Sequence, residues 1–161
     1  MLIGSYSPAL VSISLFVAVL ASYTALDMTG RIATTQGRAA HWWMAGGSLA
    51  MGVGVWSMHF IGMLAFTLPV ELGYDVSITA LSLLIAILSC GFALWLVSQP
   101  QLPAWQLAFG ALIMGAGISA MHYTGMAALR VQPGIDYDPS LFGASLVYAV
   151  GGSAAALGIA F

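Results

Sequence analysis

Five apolar stretches, at about 8–26, 41–68, 77–97, 104–129 and 141–161, are each long enough to cross a hydrocarbon core of about 30 Å. They constrain this chain more than any other feature. Only 5% of its residues are charged and 61% are hydrophobic, whereas soluble domains carry about 25% charge. A closed barrel would need short strands alternating apolar and polar residues, and runs such as LSLLIAILSCGFALWLV do not alternate. The expected fold is all-α, a polytopic transmembrane bundle of about five helices. Residues 1–161 form one domain whose principal partner is the lipid bilayer.

The few charges fall in the loops. Arg31 and Arg38 lie in the first; Glu71 and Asp75 lie in the second; the third has none; the fourth holds Arg130, Asp136 and Asp138. The positive-inside rule makes the first loop cytoplasmic and puts the N-terminus outside. Trp42, Trp43 and Trp105 then mark the inner interface, and His41 is expected to snorkel there. Asp27 and Arg31, just past the first apolar stretch, read as a local pair or interface anchor. The start, MLIGSYSP, has no basic residue and does not describe a cleaved signal. No basic cluster exists to bind nucleic acid. Cys90 is the lone cysteine, so no disulfide framework is possible, and it reads as a small buried hydrophobe. No Ser/His/Asp set or CxxC is present, and the glycines of GGSLAMGVG lie in an apolar helix and not in a nucleotide loop. The chain is not expected to be an enzyme.

Sliding the sequence by 63 residues aligns the second apolar stretch with the fourth without a gap. Ten of the nineteen positions 47–65 meet the same residue, among them Gly52 and Gly115, Gly54 and Gly117, Met58 and Met121, His59 and His122, Gly62 and Gly125, and Met63 and Met126. Tyr74-Asp75 matches Tyr137-Asp138 in the loops that follow. The first, third and fifth stretches share a weaker pattern: Leu15, Ala18, Ser22, Ala25 and Leu26 recur as Leu83, Ala86, Cys90, Ala93 and Leu94, and again at 146, 149, 153, 156 and 157. Plain and motif helices thus alternate, and a third motif helix is the expected continuation in a longer protein. The motif helices run parallel, so His59 and His122 are expected at equal depth in the outer half of the membrane. Their glycines allow the close approach that small residues give membrane helices.

Within each motif, Met-His-aromatic-x-Gly-Met, the histidine and second methionine are one helical turn apart and share a face: His59 with Met63, His122 with Met126. Two such faces offer two imidazoles and two thioethers to one point. Met58 and Met121 lie about 100° around the helix from their histidines and fit a rim or second layer. Tyr123 adds a phenol in the second copy alone, where the first has Phe60. Thioethers favour Cu(I), while imidazole serves copper, zinc or iron. A neutral donor set in low dielectric suits a monovalent ion. A copper ion is the expected cofactor, with bis-histidine haem on His59 and His122 as the alternative. Metal-free readings are interhelical hydrogen bonding and proton relay. Copper handling or transport is a further one, for which Met44, Met51 and Met114 offer thioethers towards the inner side.

WSMHFIGMLAF (56–66) and SAMHYTGMAAL (119–129) resemble the signature of the MHYT family, and ASYTALDMTGR (21–31) is similar to the segment after that family's first helix. The likeness covers essentially the whole chain. It implies a multi-pass sensory input module of the bacterial cytoplasmic (inner) membrane. It also implies a cytoplasmic signalling domain, in the same or a partner chain, often one that makes or degrades cyclic di-GMP. Such modules are proposed to sense oxygen, carbon monoxide or nitric oxide, or redox state, through bound copper. Met58, His59, Met121, His122 and Tyr123 occupy the motif positions. Two departures stand out: the first motif reads MHFI and lacks the tyrosine, and the third motif is absent, so that a complete site would draw on three histidines. The reading leaves room for a homodimer.

Overall fold

The computed structural model describes residues 5–67, 73–99, 101, 103–130 and 137–160. Glu71 and Asp136, and the final residues of the second and fifth expected spans, lie outside them. Among the described residues five helices carry the fold: α1 (Pro8–Thr34), α2 (Arg38–Ala65), α3 (Val76–Val97), α4 (Ala104–Ala127) and α5 (Pro139–Ala160). All five have the length and apolar composition to span a membrane. Each packs on its neighbours in sequence, and large apolar side chains such as Phe16, Val19, Leu88, Val147 and Ile159 face outward. In water that would be costly; in lipid it is the expected surface. The chain is a multi-pass membrane protein.

The helices differ from the apolar stretches mainly at one place. α1 continues eight residues past Leu26, so Asp27 and Arg31 sit inside its last turns and not after it. Hydropathy marks where lipid contact stops, while the backbone hydrogen-bond ladder runs on into the interface. Arg31 Nε donates to Asp27 Oδ2 at 2.7 Å, one turn away, and its guanidinium lies 4.8 Å above the Trp43 ring. The α1–α2 turn rests on Gly37, whose φ of +68° is open to glycine at little cost. His41 Nδ1 donates to the Gly37 carbonyl at 3.0 Å, capping that turn at the expected boundary.

Among the described residues four two-residue strands, unforeseen in the sequence, tie the hairpins together. β1 (Ser5–Tyr6) pairs antiparallel with β2 (Phe66–Thr67), and β3 (Gly73–Tyr74) with β4 (Leu129–Arg130). Next to each ladder one more backbone bond fixes a plain helix to a motif helix: Ser7 N to Ala65 O and Asp75 N to Ala128 O, both 2.8 Å. The ends of α2 and α4 are therefore held alike at the same end of the bundle, so the two motif helices are parallel. Asp75 caps α3 by accepting from Ser77 N and Ile78 N. It also pairs with Arg130 Nη2 at 2.5 Å, and the hydrogen bond from Arg130 holds its carboxyl below the usual aspartate range. Asp138 caps α5 through Ser140 N and Leu141 N.

Packing repeats along with sequence. A Cβ on Gly52 would stand 2.6 Å from the Ile87 Cα, and one on Gly115 2.7 Å from the Val150 Cα. Backbone meets backbone at both places, as small residues permit in membrane bundles.

Candidate functional site

His59 on α2 and His122 on α4 meet across the helix pair, with ring centroids 4.7 Å apart and planes inclined at 64°. The equal depth expected from the repeat is what brings them together. Gly125 makes the approach possible, since a Cβ there would lie 3.2 Å from His59 Nε2 and 3.3 Å from Ser82 Oγ. His59 Nε2 is buried and has no hydrogen-bond partner. That is an unusual state for a nitrogen withdrawn from water.

The rings open onto a cavity of about 380 Å³ towards the ladder end of the bundle. Met58, Met63, Met126 and Ser14 line it beside both histidines, with Tyr6 and Tyr74 at the ladders. A second hollow of about 280 Å³ lies behind the rings, where Met121, Tyr123 and Ser145 join them. Of the residues singled out from sequence, His59, His122, Met58, Met63 and Met126 share the first cavity; Met121 and Tyr123 do not line it. The Met121 side chain is 4% exposed. Tyr123 sets its ring edge-on to His122 at 4.9 Å, but its hydroxyl donates to Ser145 Oγ on α5 at 2.5 Å, and Ser145 donates onward to the Phe142 carbonyl. Among the described residues no three or more of His, Cys, Asp and Glu gather in one place. Imidazole nitrogen and thioether sulfur surround the histidine pair, with the hydroxyls of Ser14, Tyr6 and Tyr74 on the same cavity wall.

Two serines escaped notice in the sequence. Ser14 Oγ on α1 donates to the Met58 carbonyl at 2.8 Å, and Ser82 Oγ on α3 to the Met121 carbonyl at 2.9 Å. Each takes hold of a motif helix at the residue before its histidine, which fixes the rotation that aims the imidazole inward. The clue lay in the repeat: Ser14, Ser82 and Ser145 follow the spacings already shown by the plain helices. Tyr6, Tyr74 and Tyr137 follow the same spacings. Burial raises the Tyr74 phenol above its ordinary pKa.

Comparison with known proteins accords with this duplicated site. The MHYT family model, described as "Bacterial signalling protein N terminal repeat", matches residues 52–110 and again 115–161. Both matches begin at the paired glycines that meet Ile87 and Val150. Along its whole length the chain is 62% identical to the bifunctional diguanylate cyclase/cyclic di-GMP phosphodiesterase MucR of Pseudomonas aeruginosa, of which it covers 24%. It is 42% identical over 95% of its length to the cyclic di-GMP phosphodiesterase NbdA of the same organism, covering 19% of that protein. It is 34% identical over 98% of its length to the signaling protein YkoW of Bacillus subtilis, covering 20%. The chain thus spans about a quarter or less of these relatives, and it matches the repeat and not a catalytic domain. No solved structure matches it. With two matched repeats that cover most of its length, the chain belongs to the MHYT family of bacterial signalling proteins.

Proposed function

We propose that this domain is a sensory input module of the bacterial cytoplasmic membrane that holds a copper ion between α2 and α4. On this reading His59 and His122 supply nitrogen, Met63 and Met126 supply sulfur, and Met58 stands beside them. The observation that carries the reading is the meeting of two imidazoles over a thioether-lined cavity, with His59 Nε2 buried and unpartnered. With ring centroids 4.7 Å apart, His59 and His122 are close enough that both imidazoles would reach one shared ion. The soft, neutral donors favour Cu(I) over a hard divalent cation.

When bound, the metal supplies an open coordination position for oxygen, carbon monoxide or nitric oxide, or a centre that changes redox state. The protein's own contribution is positional. Ser14 and Ser82 set helix rotation, and Gly125 admits the His59 ring. A ligand that stabilises one packing of α2 on α4 over another shifts the bundle by that difference in affinity. The helix ends away from the ladders then pass the change to a cytoplasmic signalling domain. The names of MucR and NbdA suggest that this output makes or degrades cyclic di-GMP.

Elemental analysis with an optical spectrum tests the assignment on the purified protein and on the double variant His59→Ala/His122→Ala. Copper is expected in the first and lost in the second, together with the signalling response. Metal-free wild-type protein and an unaltered response in the double variant would defeat the proposal. A strong Soret band would replace copper by haem.

A further inference from the structure

A second cavity lies deeper in the bundle, between α2, α3 and α4. It encloses about 170 Å³ and is lined by Met51, Met114, Met121 and Cys90 among small and apolar neighbours. Met51 and Met114 are repeat partners, one on each motif helix, seven residues or about 10 Å before Met58 and Met121. Cys90 enters from α3 and is buried. Its counterparts in α1 and α5 are serines, Ser22 and Ser153, which donate to carbonyls of their own helices at 2.9 and 2.8 Å. Only the helix that faces this cavity carries sulfur at that position.

We infer that the cavity formed by Cys90, Met51, Met114 and Met121 is a second metal site, selective for a soft monovalent ion, Cu(I) or its surrogate Ag(I). It does not depend on the histidine pair. Thioether and thiolate sulfur are the soft donors that select Cu(I). Charge sets the valence. A metal–sulfur bond forms at Cys90 Sγ as its proton leaves to water, so one thiolate neutralises one monovalent ion. A divalent ion would keep a net charge inside a wall that offers no carboxylate, which is heavily penalised in low dielectric. The frame is firmly placed as well. Around Cys90, a Cβ on Gly52 would run into the Ile87 backbone, one on Gly91 would lie 2.9 Å from Ser48 Oγ, and one on Gly117 would meet the Ser89 side chain. α3 is thus held closely against both motif helices on either side of the thiol.

The test is titration of the purified protein in lipid nanodiscs with Ag(I), and with Cu(I) under reductant, followed by X-ray absorption at the metal edge. Wild type is expected to bind one equivalent more than the histidine pair accounts for, in an all-sulfur shell. Cys90→Ser should remove that equivalent. Met51→Leu/Met114→Leu, which preserves volume, should weaken it by about tenfold or more. His59→Ala/His122→Ala should leave it in place, so loss of the nitrogen-ligated metal alone counts against the sensor reading and not against this one. A His59→Ala/His122→Ala spectrum without an all-sulfur shell overturns the inference, and so does wild-type protein that binds no metal, which needs no variant to be folded. Retention of the full stoichiometry by Cys90→Ser also overturns it.

Discussion

After the first motif histidine comes Phe60, whose ring packs between Trp56 and Tyr74 at 4.6 and 5.8 Å. After the second comes Tyr123, whose hydroxyl is tied to α5 through Ser145. Around these two rings almost everything else matches: a serine grips the motif carbonyl, a glycine meets the next plain helix backbone to backbone, and a short ladder closes the end. The ladders differ too. The first is flanked by the Tyr6–Phe66 aromatic contact at 5.1 Å, the second by the Arg130–Asp75 ion pair. The duplicated parts position the helices, and the parts that diverged surround the histidines and the loop end. Scaffold and chemistry are thereby separable in one chain.

The strongest way to break that equivalence is to crowd the backbone contacts. Gly52→Ala and Gly115→Ala are each expected to destabilise the bundle by about 1–3 kcal/mol, and by similar amounts. Gly46→Ala and Gly151→Ala, where a Cβ meets nothing within 4 Å, should be near neutral. Detergent unfolding followed by circular dichroism measures all four, and a large difference between the first two would show that the repeats are not equal scaffolds.

A sharper probe lies at the next glycine pair. Gly125→Ala pushes on His59 Nε2, while a Cβ on Gly62 meets only Ser14 Oγ, at 3.5 Å. On the copper reading, Gly125→Ala lowers metal affinity by about tenfold or more and Gly62→Ala changes it little. Competition with a chromogenic chelator reads both, and equal affinities would contradict an asymmetric approach of the rings.

Ser14→Ala and Ser82→Ala should each cost about 0.6–1.7 kcal/mol, the range for hydrogen bonds between membrane helices. If the serines aim the imidazoles, both substitutions also perturb the metal spectrum, which loss of stability alone would not do.

The smallest effect is electrostatic. The Asp75 carboxyl is held below its ordinary pKa in the folded chain, chiefly by Arg130. Its contribution is therefore present above the unfolded value and fades as pH falls through the folded one. Amide protection factors around Gly73 and Tyr74, corrected for the intrinsic rate, should fall in acid, below about pH 4, and Asp75→Asn should remove the dependence. The first ladder, with Ser7 in the matching place, should not respond this way.

The spans, their alternation and the meeting of the histidines were legible because lipid imposes long apolar runs and because a gapless repeat carries depth information. Other features were not. Two-residue ladders are too short to show a period, and the Arg130–Asp75 pair joins loops 55 residues apart. The end of α1 was misplaced because Asp27 and Arg31 interrupt the apolar run without interrupting the helix. Cys90 reads as a small buried hydrophobe and is buried, but nothing local to α3 announces that Met51 and Met114 border the same hollow. Ser14 and Ser82 were visible as repeated residues, but a serine in an apolar helix usually bonds its own preceding turn, as Ser12, Ser22 and Ser48 do here. Only packing distinguishes the two that reach across.

The ladders also have a mechanical consequence. α2 is fastened at Ala65, and His59 stands six residues from that fastening while Arg38 stands 27 residues away at the far tip. At 1.5 Å per residue these arms measure about 9 Å and 40 Å. A rigid rod hinged at its short end magnifies whatever pushes it near the hinge, so a sideways step of about 1 Å beside His59 becomes about 4 Å of travel at Arg38. α4 is fastened in the same way, so a pivot of either motif helix about its ladder would turn a displacement of atomic size into one the size of a side chain.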